Sequence, residues 1–225
     1  GAPSSSRWSY DLGTGNNGWG NNEEQFYTDR TDNIFIENGI LNIIAKRESF
    51  SGSQFTSARI KTQDKFEFTY GKVEIKAKLP NGKGTWPALW MLGANFPEVG
   101  WPTCGELDIM EHVGNNQNVV QASIHTPSSF GGTINTGSLT VPGVSNEFHV
   151  YEMEWTEDLV SFSVDGSKYY TYQPDVQNGD TWPFNTDQFL IFNVAMGGSL
   201  GGAIEAGFTE SRMQVDYIKV YQEVE

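Results

Sequence analysis

Residues 71–79, GKVEIKAKL, set Val73, Ile75, Ala77 and Leu79 in strict alternation with Lys72, Glu74, Lys76 and Lys78. A period of two marks a strand with one face in a core and the other in water. Similar apolar and alternating runs recur along the chain. Strands are predicted near Phe26–Tyr27 and at 37–45 (ENGILNIIA, a turn pair leading into an apolar run), 55–61 (FTSARIK) and 86–92 (WPALWML). More follow at 119–125 (VVQASIH), 148–155 (FHVYEMEW), 159–164 (LVSFSV), 168–172 (KYYTY), 189–196 (FLIFNVAM) and 214–222 (QVDYIKVYQ). Asp165–Gly166 reads as a hairpin turn, and the nearly continuous apolar run 189–196 as a central strand buried on both faces. No stretch carries a helical period, a heptad or a longer repeat. Many antiparallel strands between Gly-rich turns predict a single all-β domain over residues 1–225, a sandwich of two large sheets.

The net charge of −14, from 28 acidic and 14 basic residues, lacks the basic footprint that nucleic acid or anionic lipid requires. Cys104 is the only cysteine, so there is no internal disulfide framework. No apolar run approaches the roughly 20 residues needed to span a bilayer. The opening GAPSSSRWSYD has neither the charged nor the apolar region of a signal peptide and reads as a mature or trimmed terminus.

Within CGELDIMEHVG (104–114), Glu106 and Asp108 are two apart and share a strand face, whereas Glu111 falls one residue late. A β-bulge near Ile109–Met110 would absorb the extra residue and bring all three acids to one face. Like charges held close push one carboxyl's pKa upward, leaving one group a proton donor while another stays ionised. Glycoside hydrolysis needs that pair. A solvated polar face or a calcium site made of carboxylates are the alternatives. The apolar spacers Leu107, Ile109 and Met110 suit a strand backed on a core and favour catalysis.

Sugar rings present C–H faces that pack on aromatic rings. Trp86 and Trp90 are four apart and share a strand face, and Trp101 lies five residues before Glu106. Trp155 and Trp182 read as core or loop packing. His125, on the strand expected to pair beside the acids, is a candidate proton or hydroxyl partner. His112 and His149 read as structural.

These residues resemble glycoside hydrolase family 16, whose signature is E-x-D-x-x-E. The blocks WGNNEEQFYT (19–28), FTSARIKT (55–62), FTYGKVEIKAKLPNGKGTWPALWMLG (68–93), ASIHTP (122–127), FHVYEMEW (148–155), FLIFNVAMGG (189–198) and VDYIKVYQ (215–222) follow the family's order. The resemblance implies a concanavalin A-like jelly-roll β-sandwich of two antiparallel sheets with a concave substrate cleft. It implies a retaining endo-β-1,3-glucanase of the laminarinase type, with Glu106 as nucleophile, Asp108 its helper and Glu111 the general acid/base. Trp86, Trp90 and Trp101 would form the non-reducing-side subsites. Asn21 and Arg59 would hydrogen-bond the glucan, and His125 would lie near the cleavage point. A structural calcium is also implied, with Asp216 as one ligand and Gly39 as a candidate carbonyl donor; no catalytic cofactor is. A β-glucan substrate, a monomer and secretion complete the expectation.

Two departures stand out. The family usually opens with a strand before the block matching RWSYDLG, so one calcium ligand and one edge strand are expected to be absent or supplied differently. Ser199–Leu200 stand where relatives often carry Asn or Asp with an aromatic. Competing readings are an agarase- or carrageenase-like hydrolase, a transglycosylase, and a lectin-like glucan-binding module. The charge disfavours a sulfated galactan, and a module would need the tryptophans but not both glutamates.

Overall fold

The computed structural model describes residues 1–223. Among these, the strands form two sheets, of eight and nine strands. The first runs in the order Ser9–Asp11, Arg59–Lys61, Gln188–Met196, Thr85–Gly93, Glu106–His112, Val119–His125 and Thr136–Thr140, with Glu67–Phe68 also on Gln188–Met196. The second runs Ser167–Tyr172, Val160–Val164, His149–Trp155, Gly71–Lys78, Glu210–Tyr221, Ile40–Phe50, Ser53–Ser57 and Gln25–Tyr27, with Ile34–Glu37 on Ile40–Phe50. Pairing is antiparallel except between Gln25–Tyr27 and Ser53–Ser57. The β-sandwich expected from alternation is the one observed. The two α-helices among the described residues, Phe96–Val99 and Gly198–Gly201, have four residues each.

The core lies between the sheets. Val73, Ile75 and Ala77 point inward from one sheet, and Leu89, Met91, Leu107, Ile124, Phe192 and Val194 from the other. Each fully buried large apolar side chain contributes roughly 1.5–3 kcal/mol. Trp155 and Trp182 are buried in this core, as read from the sequence. All nine residues of Gln188–Met196 are buried. Its outward residues are covered too, because Phe189 and Ile191 form a small second apolar cluster with Leu92 and Cys104.

Two hairpins turn on Asn38–Gly39 (φ 52° and 82°) and Asp165–Gly166 (φ 50° and 76°). Both central residues are left-handed, which matches the twist of paired strands and selects Asn, Asp and Gly. The first bears out the reading of 37–45 as a turn into a strand, and adds the strand Ile34–Glu37, which precedes the turn and pairs back on Ile40–Phe50.

The reading of 55–61 as one strand is corrected. Ser53–Ser57 belongs to one sheet and Arg59–Lys61 to the other, and the chain crosses at fully buried Ala58. Phe55 and Ile60 then enter the same core from opposite sides. A small residue fits where the sheets meet, and alternation alone does not reveal which sheet a residue joins.

Candidate active site

Glu106, Asp108 and Glu111 lie on Glu106–His112, near the middle of the eight-stranded sheet. Asp108 pairs with Trp90 on one side and Ser123 on the other, and Glu111 pairs with Ala88 and Gln121. A three-residue step on this strand therefore faces a two-residue step on each neighbour, which is the bulge. Leu107, Ile109 and Met110 all sink into the core. The extra residue goes inward and the acids stay together on the outer face.

The acids are withdrawn from water: Asp108 is 4% exposed and Glu111 8%. Burial disfavours the charged form. Glu106 is pushed up to about 8, first by burial and then by the charge of Asp108, with His125 opposing. Asp108 is driven well above the usual carboxylate range by burial and by Glu111. Glu111 is raised by burial, against hydrogen bonds that favour its charged form. These are Trp86 Nε1–H to Oε1 at 3.0 Å and the Ser123 hydroxyl to Oε2 at 3.2 Å. Three charges cannot coexist here near neutral pH, so the row keeps a proton. Asp108, between the two glutamates and most buried, is its natural seat. A proton there removes part of what raises Glu106 and lets that carboxyl ionise.

His125 stands opposite Glu106 in the ladder. Its Nε2 lies 3.1 Å from Asp108 Oδ2 and 3.6 Å from Glu106 Oε1. Glu106, Asp108 and His125 are close enough to chelate a metal, with ligand atoms within 4.8 Å of one another. The wiring argues otherwise. The Gly131 backbone N–H donates to Nδ1 at 3.1 Å, and a metal on Nε2 would then leave both ring nitrogens without a proton.

The three tryptophans surround the acids in different ways. Trp86 donates to Glu111, a link that spacing did not reveal. Trp90 donates to Asn193 Oδ1 at 2.8 Å. Trp101 comes from the loop before Glu106, with its ring 5.9 Å from that of His125, and it is 41% exposed. Arg59 lies between aromatic faces, 4.6 Å from the Trp19 ring and 4.9 Å from the Trp90 ring, and its Nε is 2.9 Å from Asp11 Oδ2. Asn21 donates to Glu23 Oε1 at 3.3 Å.

A supporting network escaped the sequence reading. Asn193 Nδ2 donates to the Tyr27 hydroxyl, which donates to Glu23 Oε2, and Gln25 Nε2 donates to the same oxygen. Trp90 is thereby tied to the loop carrying Asn21. The polar run NNEEQ was the visible signal, but its partner Asn193 is 166 positions from Tyr27. Ser199 and Leu200 face solvent on the Gly198–Gly201 turn. His112 is buried, and neither ring nitrogen has a partner among the described residues. His149 Nδ1 bonds Asp165 Oδ2 at 2.7 Å and braces a hairpin.

Asp216 and Gly39 lie far from this row, in the nine-stranded sheet. Asp216 falls where Glu210–Tyr221 slips against Gly71–Lys78, and its Oδ2 is 2.9 Å from Lys76 Nζ. Gly39 sits in the turn before the neighbouring Ile40–Phe50. Calcium takes six to eight oxygens. This corner offers one carboxylate, already paired with an ammonium, so backbone carbonyls would have to supply the other donors. Such a donor set fits a weakly held ion.

The sequence model described as "Glycosyl hydrolases family 16" matches residues 21–219. A curated beta-glucanase of Rhodothermus marinus is 42% identical over all of this chain and 82% of its own length. The crystal structure of a laminarinase from Flavobacterium sp. UMI-01 superposes with a TM-score of 0.93 at 45% identity, covering 98% of this chain and 95% of that one. The laminarinase catalytic domain from Thermotoga maritima also gives 0.93, at 43% identity over 100% and 95% of the two chains. The sandwich thus recurs with the sequence over essentially the whole chain, which belongs to glycosyl hydrolase family 16.

Proposed function

We propose that the chain is a retaining endo-β-1,3-glucanase that hydrolyses internal bonds of laminarin-type glucans. The observation that carries this is the convergence on one sheet face of two buried carboxyls, Asp108 and Glu111, and the half-buried Glu106, walled by tryptophans. In the first step a Glu106 oxygen attacks the anomeric carbon while the Glu111 carboxyl gives its proton to the departing glycosidic oxygen. A glycosyl ester on Glu106 results. Glu111, now ionised, takes a proton from water, whose oxygen attacks the same carbon and releases Glu106. Asp108 holds the row's remaining proton against the glutamates, and Trp86 and Ser123 orient Glu111. Arg59 and Asn21 serve the glucan's hydroxyls beside Trp90. A reducing-end assay on laminarin, with agarose and mixed-linkage glucan alongside, tests this. Short oligosaccharides from laminarin support it, and cleavage of agarose alone would move the substrate to a galactan.

Trp101 offers an open ring face to sugar. Trp101→Ala is expected to weaken oligosaccharide binding by about 1–3 kcal/mol, the scale of burying a large aromatic. Calorimetric titration measures this, and unchanged affinity would leave Trp101 with packing alone.

The same reading includes a secreted monomer, since a polysaccharide this large is met outside the cell. It also includes a structural calcium on Asp216 and carbonyls near Gly39, which would brace the turn against the neighbouring strand and supply no chemistry. A Kd near 1 mM and about 10 mM calcium stabilise by roughly 1.4 kcal/mol, or about 3–6 °C in Tm. Asp216→Asn should abolish that calcium-dependent rise. A Tm indifferent to calcium and to chelator would remove the ion.

A further inference from the structure

We infer that the loop between Thr126 and Asn135 is a positioning element, which fixes the nitrogen of His125 that carries the proton. A backbone N–H can only donate, so the Gly131 contact to Nδ1 makes Nδ1 the lone-pair nitrogen and leaves the proton on Nε2. Nε2 is the atom turned toward Asp108 and Glu106. The loop thus presents a proton, rather than a lone pair, to the two carboxyls where charge is most costly. With the other tautomer, a ring lone pair would face them and oppose ionisation of the nucleophile.

The loop is built to hold that amide in place. Thr126 and Ser129 exchange backbone hydrogen bonds, and the Ser129 hydroxyl accepts from Ile134 N–H at 3.0 Å. Phe130, 50% exposed, packs edge-on against Trp101 with centroids 5.3 Å apart at 82°. Trp101 in turn covers the His125 ring. Gly131 has φ +66°, yet a Cβ there would meet nothing within 4 Å. This glycine serves the backbone conformation that aims its N–H, and no crowding demands it. Phe130 anchors the loop and Gly131 supplies the donor; both act through His125.

His149 provides an internal contrast, because its Nδ1 faces a carboxylate and so carries the proton. The chain has three histidines. Two-bond proton–nitrogen spectra of the full chain labelled at histidine, assigned with single His→Gln variants, read each tautomer directly. The expected result is Nε2–H for His125 and Nδ1–H for His149. Phe130→Ala is expected to mix the His125 tautomers and to lower kcat on laminarin by about tenfold to a hundredfold, as small misplacements do. KM should move less than about threefold, since uniform binding is not what is lost. Phe130→Tyr should restore both readouts.

A wild-type His125 protonated on Nδ1 would overturn the inference. So would a Phe130→Ala variant with unchanged spectrum and kcat, or one with only a raised KM, which would make Phe130 a sugar contact instead. The kinetic arm rests on the glucanase reading, whereas the spectrum needs no substrate. An intact tautomer pattern in a chain inactive on laminarin would therefore count against the activity and not against the lock.

Discussion

Glu106→Gln is expected to lose laminarin hydrolysis by about four orders of magnitude or more while gaining stability. The rate falls because the amide cannot form and release the glycosyl ester. Binding of oligosaccharide should persist, since the variant is isosteric and no tryptophan is touched. Stability rises because the unfolded chain ionises this carboxyl freely, whereas burial beside Asp108 disfavours its charged form in the fold. Its carboxyl titrates near 8 in the fold against 4.5 unfolded. A raised acid destabilises the fold above its unfolded pKa, and the penalty grows until the folded pKa is passed. At pH 7 it reaches about 3 kcal/mol, lowered by the proton that Asp108 carries, so the variant's Tm should exceed the wild type's by about 5–10 °C. Near pH 4.5 the gap should close. Thermal melts at pH 4.5 and 7 measure it, and a pH-independent gap would mean that the fold does not disfavour the Glu106 carboxylate.

His112→Leu should show the opposite slope. Burial pushes the His112 imidazole down to about 4 from 6.5, and it has no partner among the described residues to offset the loss of water. The unfolded chain binds this proton below about pH 6.5, and the fold resists until about 4, so stability is lost as pH falls through that window. The leucine variant escapes the loss. Its advantage over wild type should grow by about 3 kcal/mol, or about 6–12 °C, between pH 7.5 and 4. Paired melts across that range check it, and parallel curves would show that His112 has found water or a partner.

The acids were legible because their spacing breaks a simple rule, and the apolar residues between them say which face is buried. The strand Gly71–Lys78 was legible because one of its faces meets water. Edge strands such as Thr136–Thr140 escaped, since a short polar strand leaves no pattern. The jump at Ala58 escaped because both of its flanks end in the same core. Links such as Trp86 to Glu111 and Gly131 to His125 depend on which strands and loops meet. No local pattern reports that, and only the assembled sheet brings the partners together.

The bulge invites one more thought. Glu111 faces Ala88 and Gln121, the partners a regular strand one residue shorter would give its third acid. Deleting Met110 would therefore leave the order of acids and their neighbours across the ladder unchanged. What the extra residue adds is a second apolar side chain under the row and a bend in the strand beneath it. Straight and bent catalytic strands are thus one codon apart in sequence space, and a lineage can cross between them without passing through an intermediate whose acids face the wrong way.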